Sequence, residues 1–528
     1  MLPLGCGQRQ TPPTARPDPL PQDPLIRVYT NQNPAKGANY TEPYRKITRE
    51  GDDLEQIIVE AIASAQSTVD VAVQELRLPN IAEAIAERHR AGVKVRVVLE
   101  NTYNHPWSDL RQAESGGESP WEPDRYAEFL ALADRDGDGQ LTPEEKKQGD
   151  AIAILRDAGV PLLDDTADGS KGTGLMHHKF IAIDGTTVVT GSANFTPSGI
   201  HGDFDTPESR GNANHLLVIE DRTLARLFVE EFNLLWGDGP GGKPDSQFGV
   251  QKPVRRAQRL QIGQSAVTVQ FSPLSQTQPW SLSSNGLIGS WLDRAARSVH
   301  LALFVFSEQP LANILETRHQ QGVEIKALID PSFAFRSYSE GLDLLGVALS
   351  DRCKYEVDNR PWQQPIATVG VPQLPPGDKL HHKFGAIDGT IAITGSHNWS
   401  AAANHTNDET LLVIENPIVA AHFEREFERL YEKAVLGLPV TVQQKIEAQQ
   451  RDCPQISAPT RSPSSAIVNL NTATQAELEA LPGIGPQLAQ RIIAARQQRP
   501  FTSLDDFDER VSGVGPSLRR KLEGRVTW

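Results

Sequence analysis

The sequence predicts an α/β fold of two related lobes, each a sheet flanked by helices, followed by a small all-α domain. Three observations predict it. Residues 57–74 read as an amphipathic helix followed by an alternating strand, and residues 287–305 read the same way. Residues 81–100 and 311–330 extend the parallel, each a helix closed by Gly92 or Gly322 and then an apolar strand. Finally, 528 residues exceed what one core usually holds, and the run PQISAPTRSPSS sets off a last, compositionally distinct stretch.

Taken in order, residues 1–45 are Pro-rich and are expected as a disordered tail. The opening MLPLGCG resembles the end of a bacterial lipoprotein signal with Cys6 as the lipidated residue, although the charged and apolar stretches that precede such a site are absent. That resemblance implies the cell envelope or export; the other reading is cytoplasmic. Residues 46–245 form the first lobe with an insertion at 121–155, and 246–262 a linker after a Gly/Pro-rich stretch. Residues 263–439 form the second lobe, 440–465 a linker that begins as a Gln-rich helix, and 466–528 the helical domain. Cys6, Cys353 and Cys453 are too few for a disulfide framework and lack C-x-x-C spacing; if Cys6 is lipidated, the other two remain as a pair.

Charge narrows the function classes. With 52 Lys+Arg against 67 Asp+Glu the net charge is −15, which excludes a surface built for wholesale wrapping by nucleic acid or anionic membrane and leaves room for a local basic site. No run of about 18 apolar residues is present to span a membrane.

Each lobe carries one constellation at one spacing, H-x-K-x₄-D-x₆-G-S-x-N. The first has His177, Lys179, Asp184, Ser192 and Asn194; the second has His381, Lys383, Asp388, Ser396 and Asn398. His and Lys two apart on a strand share a face. A turn at Asp184-Gly185 or Asp388-Gly389 then returns the chain so that Ser and Asn come close to them. Such a cluster suits an anion with a centre open to attack, since imidazole can act as nucleophile or proton donor while Lys, Ser and Asn hold charged oxygens.

This paired motif resembles the HKD motif of the phospholipase D superfamily across most of residues 46–436. The resemblance implies two phospholipase D-like lobes with pseudo-twofold symmetry, both motifs in one cleft, and cleavage of phosphodiesters through a covalent phosphohistidine. It makes His177 and His381 the nucleophile and acid, with the family's usual order favouring His177 as nucleophile. Lys179, Lys383, Asn194 and Asn398 would bind the phosphoryl oxygens with Ser192 and Ser396 in support, and Asp184 and Asp388 would be structural. It implies no cofactor for catalysis, and two motifs in one chain imply a monomer. The family also places an acidic residue downstream to orient a catalytic His. Glu409 fits that role for His381. Asn214 stands at the matching place in the first lobe, where Asp203, Asp205 or Glu208 are alternatives for orienting His177.

Two further motifs stand outside the repeat. In DRDGDGQLTPEE, Asp134, Asp136, Asp138, Gln140, Thr142 and Glu145 occupy the ligand positions of an EF-hand loop with Gly139 at its turn, flanked by helices expected at 121–133 and 143–155. A structural Ca²⁺ site is expected there. In the last domain, PGIGP and SGVGP place Gly483, Gly485, Gly513 and Gly515 at helix N-termini, where free backbone N–H groups can meet phosphate. With VNLNTATQAELEALPGIG, this stretch resembles the helix-hairpin-helix domain of competence-type DNA receptors, which implies binding of the DNA backbone without base reading. The expected function is therefore a phosphodiesterase acting on DNA. The alternatives are a phospholipid-cleaving or phosphatidyl-transferring enzyme, with Phe333-Ala334-Phe335 as the candidate apolar loop, and a non-catalytic surface DNA-binding protein.

Overall fold

A computed structural model describes residues 15–109, 122–170, 174–356, 358–453, 468–479, 481, 483–515, 518–519, 522 and 526–528. Cys6 and the Pro/Ser stretch 454–465 lie outside them. The two lobes repeat one sheet plan. In the first sheet the strand order is Ile26–Thr30, His215–Glu220, Thr187–Gly191, Lys179–Ile183, Thr68–Val73, Lys94–Leu99 and Leu162–Asp164. In the second, Ser265–Ser272, Glu409–Glu415, Ile391–Gly395, Lys383–Ile387, Ser298–Leu303, Glu324–Ile329 and Val369–Val371 follow the same order, with Gln258–Ile262 and Val435–Leu436 added at the edges. In each, the strand after the first helix pairs parallel with the next strand and antiparallel with the motif strand.

The motif hairpins turn as their Asp-Gly pairs dictate: Asp184 and Gly185 have φ of 52° and 60°, Asp388 and Gly389 55° and 66°. Each Asp then does structural work. Asp184 accepts hydrogen bonds from the backbone N–H of Gln66, Ser67 and Thr68, and Asp388 from those of Ala296, Arg297 and Ser298. One apolar core lies outside each sheet. A third is shared between them, with Phe180, Phe228 and Phe232 from one lobe meeting Phe384, Phe423 and Phe427 from the other. Apolar area removed from water at this junction, at roughly 25 cal/mol per Å², holds the lobes in one orientation.

Several expected boundaries move. The tail expected to be disordered through residue 45 instead supplies the edge strand Ile26–Thr30, because Ile26 and Val28 alternate into the shared core and Asp23 accepts from the Ile26 N–H. Residues of the 246–262 linker also belong to the fold. Phe248 enters the shared core, Lys252 is buried against Glu231 and Asp408, and Gln258–Ile262 is a strand. The linker from residue 440 opens as the helix Val440–Asp452, which packs Val442 against Leu342 and Leu349 and is closed by a Cys353–Cys453 disulfide.

The insertion is woven into the first lobe. Phe129 and Leu132 of helix Glu122–Ala133 join its core, and Gly149 permits the close approach of Ala133, whose Cβ would stand 2.3 Å from any Cβ there. The helix expected at 143–155 is two, Pro143–Gly149 and Ala151–Asp157, because the Asp150 side chain accepts from the Ile152 and Ala153 N–H groups and starts a new helix. The last domain has its own core around Leu478, Ile492 and Phe507. It is not purely helical: Val468–Asn469 and Val526–Thr527 pair in parallel and join its ends.

Candidate active site

Both motif histidines stand just before their strands, at the line where the lobes meet. There the backbones exchange hydrogen bonds: His177 N–H donates to Asp408 O at 3.0 Å, and His381 N–H donates to Ala213 O at 3.1 Å. The loop preceding each LLVIE strand therefore lies beside the histidine of the opposite lobe.

The orienting partners are consequently crossed. His177 Nδ1 lies 2.7 Å from Glu409 Oε2, and His381 Nδ1 lies 3.0 Å from Asn214 Oδ1. This corrects the assignment of Glu409 to His381 and removes Asp203, Asp205 and Glu208 as partners of His177. Nδ1 of each ring is thereby engaged by the opposite lobe, so chemistry at either ring would use Nε2. Asn214 cannot turn freely, because its Nδ2 donates to Gly199 O at 2.8 Å; its Oδ1 therefore faces His381, which must donate from Nδ1. The serines serve these partners rather than a phosphoryl group: Ser192 Oγ donates to Asn214 Oδ1 and Ser396 Oγ to Glu409 Oε2, each at 2.7 Å.

Lys179 and Lys383 are each 1% exposed. Lys179 Nζ donates to His177 O at 2.8 Å and Gln74 Oε1 at 3.2 Å, whereas Lys383 Nζ donates to His381 O at 2.6 Å and stands 4.9 Å over the Phe304 ring. Burial pushes Lys179 down to about 7, and burial together with the Lys179 charge pushes Lys383 well below its usual range. The same forces, burial first and then the lysines, hold His177 and His381 well below 6.5, while burial raises Glu409. Four groups able to carry positive charge are thus crowded together, and a bound anion would relieve their repulsion. Asn194 and Asn398 stand in the adjoining loops with Oδ1 atoms buried and unpaired, so the protein frame claims neither carbonyl.

Sequence reasoning missed the residues behind the site. In both motifs the x of H-x-K is a second, fully buried histidine. His178 bonds Thr410 Oγ1 and Glu231 Oε1 at 2.9 Å each. His382 lies 2.8 Å from Glu426 Oε1 and 2.9 Å from His215 Nδ1, so those facing Nδ1 atoms share a proton. Burial raises the Glu426 carboxyl, but Arg429 and His382 more than offset this and hold it at about 2. The doubled HH in both motifs was the available signal.

Elsewhere, the structure brings Asp134, Asp136 and Asp138 together, with one oxygen of each within 4.8 Å of the others. Glu145 is not among the carboxylates gathered there. Thr142 caps the next helix in a reciprocal pair with Glu145, whose other oxygen accepts from the Arg135 N–H. In the last domain Gly483 and Gly513 adopt φ of 89° and 99°, and nothing lies within 4 Å of where a Cβ would stand at Gly485 or Gly515. Arg491, in the helix Pro486–Gln498 that follows the first turn, bonds Ser512 at the second. Arg499, Arg510 and Arg519 pair with Asp506 or Asp505. Residues 516–517, 520–521 and 523–525 lie outside the described residues.

Residues 58–236 and 288–431 match the family described as cardiolipin synthase, PLD-like domain, and residues 464–527 match the helix-hairpin-helix motif. Mitochondrial cardiolipin hydrolase from Xenopus tropicalis is 27% identical over 186 residues, covering 35% of this chain and 79% of that one. Its Mus musculus namesake is 30% identical over 155 residues, covering 29% and 61%. Among solved structures, phosphatidylserine synthase from Haemophilus influenzae aligns with a TM-score of 0.46 at 11% identity, covering 83% of this chain and 95% of that one. Nuc from Salmonella typhimurium, a phospholipase D family member, aligns with a TM-score of 0.24 at 20% identity, covering 41% and 97%.

Proposed function

The chain belongs to the phospholipase D-like family that its two lobes match, and from that premise we propose that it hydrolyses phosphodiester bonds in DNA through a phosphohistidine on His177. The crossed pair carries the assignment of roles. A buried carboxylate on Nδ1 makes Nε2 of His177 the stronger nucleophile and stabilises the positive charge that develops on attack. The neutral amide on His381 stabilises its imidazolium less, which leaves it the readier proton donor.

In the first step His177 Nε2 forms a bond to phosphorus, the bond to the leaving oxygen breaks, and protonated His381 gives that oxygen its Nε2 proton. In the second, water attacks phosphorus, His381 takes the proton back, and the N–P bond breaks to free His177. The products are a monoester and an alcohol. Lys179, Lys383 and the side-chain NH₂ groups of Asn194 and Asn398 donate to the non-bridging oxygens, and the two lysines offset their growing charge.

The helix-hairpin-helix match supports DNA as the substrate, since Gly483, Gly485, Gly513 and Gly515 can present backbone N–H groups to phosphates and raise the local substrate concentration. The Asp134, Asp136 and Asp138 cluster fits an oxygen-liganded Ca²⁺. Bound there, the ion would stiffen the insertion and take no part in the reaction. The Cys353–Cys453 disulfide favours an oxidising compartment, in keeping with export. A phospholipid reading draws on the name of the curated relatives.

Turnover of plasmid DNA and of phosphatidylcholine by one preparation, with EDTA and with Ca²⁺, beside His381→Ala, tests the proposal. DNA cleavage that survives EDTA and disappears in the variant supports it. Choline release without DNA cleavage would move the substrate to phospholipid. DNA binding without turnover of either would make the chain a binding protein.

A further inference from the structure

The pseudo-twofold axis makes the two walls of the cleft comparable position by position, and they differ. Gln74 and Phe304 are counterparts, each donating its backbone N–H to the second histidine of its motif, His178 or His382. Tyr103 and Phe333 are counterparts too, each closing a turn onto the residue three before it, Glu100 or Asp330. In the first lobe the residue beside the motif lysine is an amide, and the rings are committed to an arginine. Gln74 holds Lys179, and Tyr103 and Trp107 pack around the Arg77 guanidinium at 5.9 and 4.8 Å, with Arg77 paired to Glu75.

In the second lobe the same positions form an aromatic row that begins beside the histidine. The Phe304 ring lies 4.8 Å from the His381 ring and 4.7 Å from Phe333, with Lys383 over it at 4.9 Å. Phe304 and Phe333 are both half-buried. Asp330 braces the row, since its backbone carbonyl accepts from the Phe333 N–H and its carboxylate accepts from the N–H of Leu380, the residue before His381.

We propose that Phe304 and Phe333 form a stacking subsite for the base of the nucleoside that carries the leaving oxygen. It rests on the reading above, which puts His381 on the leaving side. Two aromatic rings beside a cation suit a flat, polarisable group, and every nucleobase offers such a face. Two rings are a short apolar run for an acyl chain. The expected apolar loop Phe333-Ala334-Phe335 does not continue outward, because Ala334 is buried and Phe335 packs inward toward Leu342 and Leu349, while the neighbours Ser332 and Arg336 are exposed. A base reaches the subsite only when it has left a duplex stack.

The test uses the full-length protein on thymidylyl-thymidine and on two analogues in which one or the other nucleoside is abasic; the products identify the leaving side. Removing the leaving-side base should lower kcat/KM by about 5- to 150-fold, the range that one base on an aromatic side chain supplies. Removing the other base should cost less. Phe333→Ala should lower kcat/KM on the intact diester by the same factor and leave the leaving-side abasic analogue unchanged, while Phe333→Trp restores the intact diester. Equal loss from either abasic position, or additive losses in Phe333→Ala, would overturn the subsite while leaving the nuclease reading in place. Turnover of phosphatidylglycerol vesicles with none of any dinucleotide would overturn the nuclease reading itself and the subsite with it.

Discussion

Replacing Glu409 by Gln removes the carboxylate that lies 2.7 Å from His177 Nδ1 and keeps nearly the same shape. Glu409 is fully buried and its Oε2 also accepts from Ser396 Oγ. A buried hydrogen bond to a charged group is worth about 1.5–3 kcal/mol, or roughly 10- to 150-fold in rate if it is realised in the transition state. The amide adds a second penalty. With its oxygen toward His177, its NH₂ faces the Asn407 Nδ2 donor, which stands 3.4 Å from Glu409 Oε1. With its NH₂ toward His177, the ring is driven to the tautomer whose Nε2 is protonated and cannot attack. The expected loss in kcat is therefore about 100-fold or more. Rapid quench of a radiolabelled diester should place it in the formation of the covalent intermediate. Asn214→Ala removes an acceptor whose bond to protonated His381 weakens as that ring gives up its proton, so little of its worth is realised in the transition state and the loss should be about 10-fold or less. If Glu409→Gln costs no more than Asn214→Ala, the division of labour between the histidines is wrong.

Other outcomes follow from the same geometry. His177 must be neutral and His381 protonated in the free protein, and both are held below 6.5, so kcat/KM should fall as pH rises through a point below 6.5; a pH profile with its alkaline limb above 7 would contradict this. The Cys353–Cys453 disulfide joins residues 100 apart and stabilises by about 2–4 kcal/mol, so a reductant should lower the thermal midpoint while changing turnover of a small diester less than 2-fold. Gly513 has φ of 99° and a Cβ there would stand 3.1 Å from Arg491 Nη1, so Gly513→Val should weaken plasmid binding and leave a dinucleotide's kcat unchanged.

The parts of the fold legible in the sequence are those set locally. Identical spacing in the two motifs forces identical hairpins, and Asp184-Gly185 and Asp388-Gly389 are residues that tolerate the left-handed turn a two-residue connection needs. The place of Glu409 before LLVIE marks it as an orienting acid, but does not say for which histidine. Adjacency in the chain suggests His381, whereas the pseudo-twofold packing carries that end of the Glu409–Glu415 strand to His177. Glu231 and Glu426 read as ordinary charges on amphipathic helices until the shared core turns them inward against His178 and His382. The strand Ile26–Thr30 is only five residues long, and its Pro-rich approach hides the alternation that seats it.

The division of roles between His177 and His381 turns on which of them takes the phosphoryl group. A short diester mixed with the protein in EDTA, quenched within the burst and digested under conditions that preserve phosphohistidine, answers this by mass spectrometry of the two motif peptides. Phosphate on the peptide bearing His177, absent in Glu409→Gln at the same time point, is the expected result. Phosphate on the His381 peptide, or burst product with no phosphate on either, would contradict the account.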